Sequence, residues 1–172
     1  MKLTRTARGA IIALTFALIA AAPVAAAQPT RNVYDLNPFT LPAGTACAFD
    51  VEGQPSWGFT AVTTFSDGSV QSSVRAHGAY VNLATGATFP TADNYRDRSR
   101  FDDSTGIVVG VENGETTWFF VPGEVGPFGL VGRNGALYHF VGSVSYTYDT
   151  VAGRSTRFVY TGTVTDVCAA LS

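Results

Sequence analysis

From about residue 45 onward this chain alternates apolar and polar residues with period two, and its segments change over at Asp-Gly, Asn-Gly and Thr-Gly steps. Side chains of a strand point alternately to opposite faces, so such a sequence buries one face as β-structure and cannot do so as a helix. Glycine supplies the positive φ that tight hairpin turns need. The pattern predicts strands at Thr45–Val51, Gly58–Phe65, Ser69–His77 and Ala79–Ala84, with turns at Asp67-Gly68 and Thr85-Gly86. It continues with Asn94–Phe101, a turn over Asp102–Gly106, and a hairpin of Ile107–Glu112 and Glu115–Val121 about Asn113-Gly114. Leu130–Arg133 and Ala136–Tyr148 repeat the device about Asn134-Gly135, and Ser155–Val167 follows a turn at Ala152-Gly153. No stretch after residue 27 has helical periodicity between caps.

A set of about nine or ten short hairpin-linked strands makes an antiparallel sheet, and one that large tends to close or fold over. Closure also removes exposed edges. The expected fold is therefore an all-β, antiparallel, hairpin-rich β-barrel, with a two-sheet β-sandwich as the alternative. Within Ala136–Tyr148 the even positions are Tyr138, Phe140, Gly142, Val144, Tyr146 and Tyr148, the odd ones mostly polar. The aromatic set is expected to be the buried face, with Gly142 at a bend. Phe158, Tyr160, Gly162 and Val164 repeat it in the last strand. Pro122–Gly129, without a strand pattern, is expected to be a rim loop or lid.

The first 27 residues read differently. Lys2, Arg5 and Arg8 precede an apolar run from about Ala10 to Ala22 that ends at Ala25-Ala26-Ala27. This is the pattern of a secretory signal peptide cut after Ala27, too short and Ala-rich for a spanning helix. With no Cys at the cut, a lipid anchor is not indicated. Residues 28–172 are then expected to form a single secreted domain, with 28–44 (Pro29, Pro38, Pro42) as an extended arm over one barrel end. The whole chain carries a net charge of −2, from 11 basic and 13 acidic residues; removing Lys2, Arg5 and Arg8 takes it to −5. Such a balance argues against a general nucleic-acid binder and against adhesion to anionic membranes. Cys47 and Cys168 are the only cysteines, and in an oxidising compartment they predict one disulfide joining the start of the β-region to its end.

Nucleophile, metal and phosphate motifs are absent: there is no Gly-x-Ser-x-Gly, His-Glu-x-x-His, Gly-rich phosphate loop or Cys-x-x-Cys. No metal or cofactor is expected. Of the two imidazoles, His77 reads as solvated. His139, between Leu137 and Val141, is the one weak catalytic candidate. Asp102 and Asp103 read as turn residues, and Asp166 as a cap or hydrogen-bonding group at a strand end. Arg96, Arg98 and Arg100 recur at period two on one face of Asn94–Phe101, opposite Tyr95, Asp97, Ser99 and Phe101. They either pair with carboxylates on a solvated outer face or form an anion site, since forked guanidinium donors match carboxylate and phosphate geometry. Trp57 and Trp118 are read as core or carbohydrate-stacking residues.

Cys47-Ala48-Phe49, the turn from Asn82 to Gly86, and the terminal Gly162-Thr163-Val164-Thr165-Asp166-Val167-Cys168 resemble a group of small secreted actinobacterial β-proteins with an early and a late Cys. That resemblance implies a secreted β-fold and, the group having no assigned activity, transfers no catalytic residues. A weaker likeness, of architecture only, is to dirigent and allene oxide cyclase-like barrels, which implies an interior for an apolar ligand and no particular residues.

Taken together, these readings make a secreted, non-catalytic ligand-binding or surface-interaction protein the leading expectation. Its partner would be a small apolar or anionic molecule or a cell-wall polymer, met by Arg96, Arg98 and Arg100 or by Tyr138, Tyr146, Tyr148 and Tyr160. One alternative is a small barrel enzyme (cyclase, isomerase or hydrolase) using His139 with nearby Tyr and Arg. Another is a secreted inhibitor that presents Pro122–Gly129.

Overall fold

The structure, a computed structural model, describes residues 30–33 and 37–172; the segment read as a signal peptide lies outside them. It is an antiparallel sheet curled into a half-barrel. The strands are β1 (Thr30–Val33), β2 (Phe39–Leu41), β3 (Val51–Thr64), β4 (Ser69–Asn82), β5 (Thr88–Asp102), β6 (Ile107–Phe120), β7 (Val125–Gly126), β8 (Gly129–Leu130), β9 (Ala136–Asp149) and β10 (Arg154–Asp166). One helical turn, α1 (Val167–Ala170), follows, N-capped by Asp166, whose carboxylate accepts from the Ala169 amide at 3.0 Å. The main sheet runs β1-β3-β4-β5-β6-β9-β10, with β2 beside β1 on the edge of β3, and β7 and β8 pair separately. The expected barrel is thus present in open form: among the described residues no ladder joins β10 to β1 or β3. The arm is extended, but its described strands are zipped along β3 rather than laid over an end.

Several expected short strands fuse into long ones, because two glycines that resemble turn signals sit inside ladders. Gly78 lies within β4 opposite a bulge in β3, where Pro55 pairs with Gly78 and Trp57 with His77. Proline lacks the donor a central ladder position requires, and a bulge accommodates it. Gly114 does not turn the chain either. It lies within β6 at φ +133°, paired across the sheet with Tyr95 on one side and Gly142 on the other, and Gly142 pairs in turn with Gly162. A Cβ on Gly142 or Gly162 would lie 3.0 Å from the other's Cα and closer still to a neighbouring carbonyl oxygen. This row of three facing glycines is a crease that lets β6, β9 and β10 bend together.

The turns at Gly68, Gly86, Gly106 and Gly153 stand as expected, each with positive φ. Thr45–Val51 is not a strand; residues 43–49 form turns that place Ala46 and Cys47 in the core. Leu130–Arg133 does not pair across Asn134-Gly135: Leu130 pairs with Val125 instead. That small hairpin is anchored by Glu124, whose two carboxylate oxygens accept from the amides of Val121 and Ser155, each at 2.8 Å. Pro122–Gly129 is therefore a fixed rim segment and not a lid.

β9 separates two cores. Leu137 packs with Ala46, Cys47, Val51, Val167 and Leu171, beside the Cys47–Cys168 disulfide. On the opposite face Ala136, Phe140 and Val144 pack with Phe120 and Phe158 under the 121–135 segment. Of the expected aromatic face Phe140 and Val144 are buried and Tyr138, Tyr146 and Tyr148 half-buried, while Leu137 and His139 are buried on the other face. Asn82, 2 % exposed, locks the first core: its amide donates to the Leu171 carbonyl at 2.9 Å while its oxygen accepts from Ala84 N.

The disulfide closes a sequence separation of 121, for which loop-closure entropy gives about 4–5 kcal/mol. Cys47→Ser/Cys168→Ser should lower unfolding free energy in urea by that order with the native circular dichroism unchanged. Gly142→Ala should cost at least about 2 kcal/mol, since it combines a left-handed φ with a backbone clash; a urea midpoint within error of the parent would remove the crease from the account.

Candidate functional site

The register of β5 settles which face its arginines occupy. Arg96, Arg98 and Arg100 are exposed, and Asp97 between them is 9 % exposed. Alternate strand residues lie about 6.7 Å apart, so the three guanidinium groups form a ladder along the outer surface. Arg75 of β4 joins them, one diagonal from Arg96, because Ser73 faces Arg96 and Arg75 faces Asn94. Arg98 lies over the Phe65 ring at 5.2 Å. Asp67 sends its field to Arg98 and Arg100, but its carboxylate is taken by Ser69, whose hydroxyl and amide donate to it at 2.6 and 2.9 Å and hold it below the usual carboxylate range. Among the described residues no carboxylate forms an ion pair with any of the four arginines. Of the four, Arg75 and Arg96 line an open depression of about 640 Å³ with Phe59, Ser73, Asn94 and Asn113.

The opposite face of the same strands is acidic and closed. Asp97 of β5 stands directly across from Glu112 of β6, which is 4 % exposed. Glu112 Oε1 accepts from the Trp118 indole N–H at 3.0 Å, and Asp97 Oδ1 accepts from the Tyr146 hydroxyl at 2.9 Å. Tyr146 reaches that far because Gly110 has no side chain; a Cβ there would lie within 2.6 Å of its ring. Burial pushes the Glu112 carboxyl up to about 7, against the hydrogen bonds from Trp118 and Thr116, and raises Asp97 as well. Tyr146 is raised by burial and then by Asp97.

His139, 9 % exposed, lies in a second polar chain. Its Nδ1 is 3.0 Å from Thr117 Oγ1 and its Nε2 3.1 Å from Glu115 Oε1, while Thr117 Oγ1 is 3.1 Å from Asp93 Oδ1. A hydroxyl donates one proton. If Thr117 donates to an ionised Asp93, His139 must donate from both nitrogens; if Asp93 holds the proton, Thr117 donates to Nδ1 and the imidazole is neutral. The two arrangements contain the same number of protons. Burial raises the Asp93 carboxyl, against the hydrogen bond from Thr117. His139 thus has the hydrogen-bond partners of an acid–base group, yet the recess that reaches this chain touches it at Asp93 and is not lined by His139.

Of the tyrosines predicted to share a ligand, Tyr138 and Tyr160 both pack on Phe128 and Phe140, and Tyr146, which meets Trp118 and Asp97, borders the same core. Tyr148 lines a recess of about 310 Å³ with Trp118, Phe120 and Glu124, and Tyr138 a separate one of about 120 Å³ beside Phe128. Trp118 is core, stacked with Phe120 at 6.1 Å. Asp93, Asp97, Glu112 and Glu115 were missed as a group by sequence reasoning. Asp97 sits on the face of β5 opposite the arginines, and Glu112 shares the parity of Trp118 and Phe120, a signal that could have placed both inside.

Compared with protein-family models, curated proteins and solved structures, this chain matches none. No helix among the described residues is long and apolar enough to cross a membrane, and the disulfide is consistent with an extracellular protein. None of their His, Cys, Asp and Glu residues cluster as a metal site.

A carboxyl whose folded pKa is raised binds its proton more tightly in the native state, so the fold loses stability as pH rises. For Glu112 the loss begins near its ordinary 4.5 and is complete above about 7, an effect of order 3 kcal/mol. Urea midpoints should fall across that window, and Glu112→Gln should flatten the slope there. A midpoint that rises from pH 5 to 7.5 would contradict the buried carboxyl.

Proposed function

We propose that this is a secreted, non-catalytic binding protein whose outer arginine ladder captures an extracellular anionic polymer, with the half-barrel as a rigid frame. The observation that carries this reading is the exposed set Arg75, Arg96, Arg98 and Arg100, none of which forms an ion pair with a carboxylate among the described residues. On a chain with a net acidic balance these arginines gather on one face, while Asp97 and Glu112 are turned to the other. Arginines whose Cα atoms repeat about every 6.7 Å along a strand suit successive charges of an extended chain rather than one small anion. Asn94, Asn113 and Ser73 border the same depression and add neutral hydrogen-bonding groups for hydroxyls or carbonyls between those charges. The signal-peptide pattern and the disulfide support a partner outside the cell, such as a phosphorylated or uronic acid-rich wall polymer.

Titration with polyphosphate and with polygalacturonate tests the proposal. Saturable binding should weaken steeply between 20 and 200 mM salt, about tenfold or more. Arg96→Gln/Arg98→Gln/Arg100→Gln should abolish it at unchanged thermal midpoint, and Arg154→Gln, at the far hairpin, should leave it intact. Binding that the triple variant retains would refute the arginine face.

A further inference from the structure

The outer face that carries the arginines ends, on β3, in exposed aromatic surface. We infer, on the reading of the arginine ladder just given, that the polymer held there is a carboxylated polysaccharide and that Trp57 is the platform on which one of its sugar rings stacks.

A bulge puts Trp57 on that face. Residues paired across an antiparallel ladder share a face. Val51 and Gly53 pair with Asn82 and Tyr80, on the side of β4 that packs into the first core. Unbroken alternation would send Trp57 inward with them. Instead Ser56 is an extra residue: Pro55 pairs with Gly78 and Trp57 with His77, so the parity of β3 reverses. Trp57 and Phe59 thereby come out beside His77 and Arg75. Trp57 meets the Phe59 ring edge-on at 5.5 Å and lies against the His77 ring at 5.6 Å, with 30° between the planes.

The same register sets the order of groups along the face. Trp57 with His77 makes one row and Phe59 with Arg75 and Asn94 the next, followed by the rows of Arg96, Arg98 and Arg100. Rows repeat about every 6.7 Å. From Trp57 through Arg75 to Arg96 the line crosses one strand at each row, and then it follows β5. Trp57 stands at one end of this line. Beyond it on the same face comes Glu52, which pairs with Val81 and accepts from the Gln54 amide at 2.6 Å.

The chemistry along the line selects the polymer. His77 and Phe59 hold the indole, yet Trp57 is 47 % exposed. A ring already held loses little freedom on binding, and its π-face suits a flat apolar surface. A pyranose has such a surface in one side of C–H groups. Its hydroxyls, around the rim, match the neutral donors and acceptors of Asn94, Asn113 and Ser73. Carboxylates on successive rings match the guanidinium forks. A polyphosphate would meet the arginines and leave the indole unused. Single-stranded nucleic acid would use both, but its binders carry a basic excess that this net acidic chain lacks.

Fluorescence titration of the full chain with polygalacturonate tests the assignment. Trp57 and Trp118 are the only tryptophans, and Trp118 is half-buried with its N–H on Glu112. Polygalacturonate should shift the indole emission saturably, and the shift should vanish in Trp57→Phe. Trp57→Ala should weaken polygalacturonate at least fivefold, and Trp57→Phe, which keeps an aromatic face, less than twofold. Native circular dichroism checks that both variants fold, and the emission shift of the parent protein needs no variant. Full affinity in folded Trp57→Ala, or saturation without an emission shift, would overturn the stacking platform and leave the arginine ladder standing. So would an equal shift with polyphosphate, which has no sugar ring, or arginine-dependent binding of polyphosphate with none of polygalacturonate. Tighter binding of oligothymidylate with the same shift would overturn the assignment in favour of a nucleic-acid site. Polygalacturonate binding retained by Arg96→Gln/Arg98→Gln/Arg100→Gln would instead refute the arginine face itself, and the assignment with it.

Discussion

Everything in this fold hangs on the row Gly114–Gly142–Gly162. Three adjacent strands carry glycines at one register, where backbones approach so closely that a Cβ would collide and where the φ values are ones that residues with side chains avoid. Strand alternation lets β9 present Leu137 to one core and Phe140 to another. The β5–β6 register sets Asp97 against Glu112, where Tyr146 also reaches it.

Electrostatics follow from that geometry. Strand alternation separates Asp97 from its arginine neighbours by one residue in sequence and by the thickness of the sheet in space. Asp97 therefore forms no ion pair with those arginines, while Asp67 lies near enough to Arg98 and Arg100 to feel their charge. On the inner side burial pushes Glu112 up to about 7, so that it keeps its proton through much of the acidic range.

The fold class, the disulfide, four of the turns, the burial of Phe140 and Val144 in β9 and the Asp166 cap were legible in the sequence, because each depends on residues a few positions apart or on a single possible pairing. Strand lengths were not. Asn113-Gly114 carries the same letters as a hairpin turn, and only its neighbours across the sheet, Tyr95 and Gly142, decide that it is a crease. The arginine ladder was visible from its spacing, but its orientation depended on what lay opposite Asp97. The place of Trp57 on that face was invisible for a related reason. Trp57 shares the odd parity of Val51 and Gly53, and only the bulge after Pro55 turns it outward.

The placement of the disulfide has a mechanical consequence. Cys47 precedes β3 and Cys168 follows β10, so the bond bridges the chain outside the strands β3 to β10. Tension applied to the two ends passes through sulfur and bypasses residues 48–167. Only the arm can peel from β3, strand by strand, before the load reaches a covalent link. A molecule tethered by its termini would yield at the arm first and keep the strands between the two cysteines intact under strain.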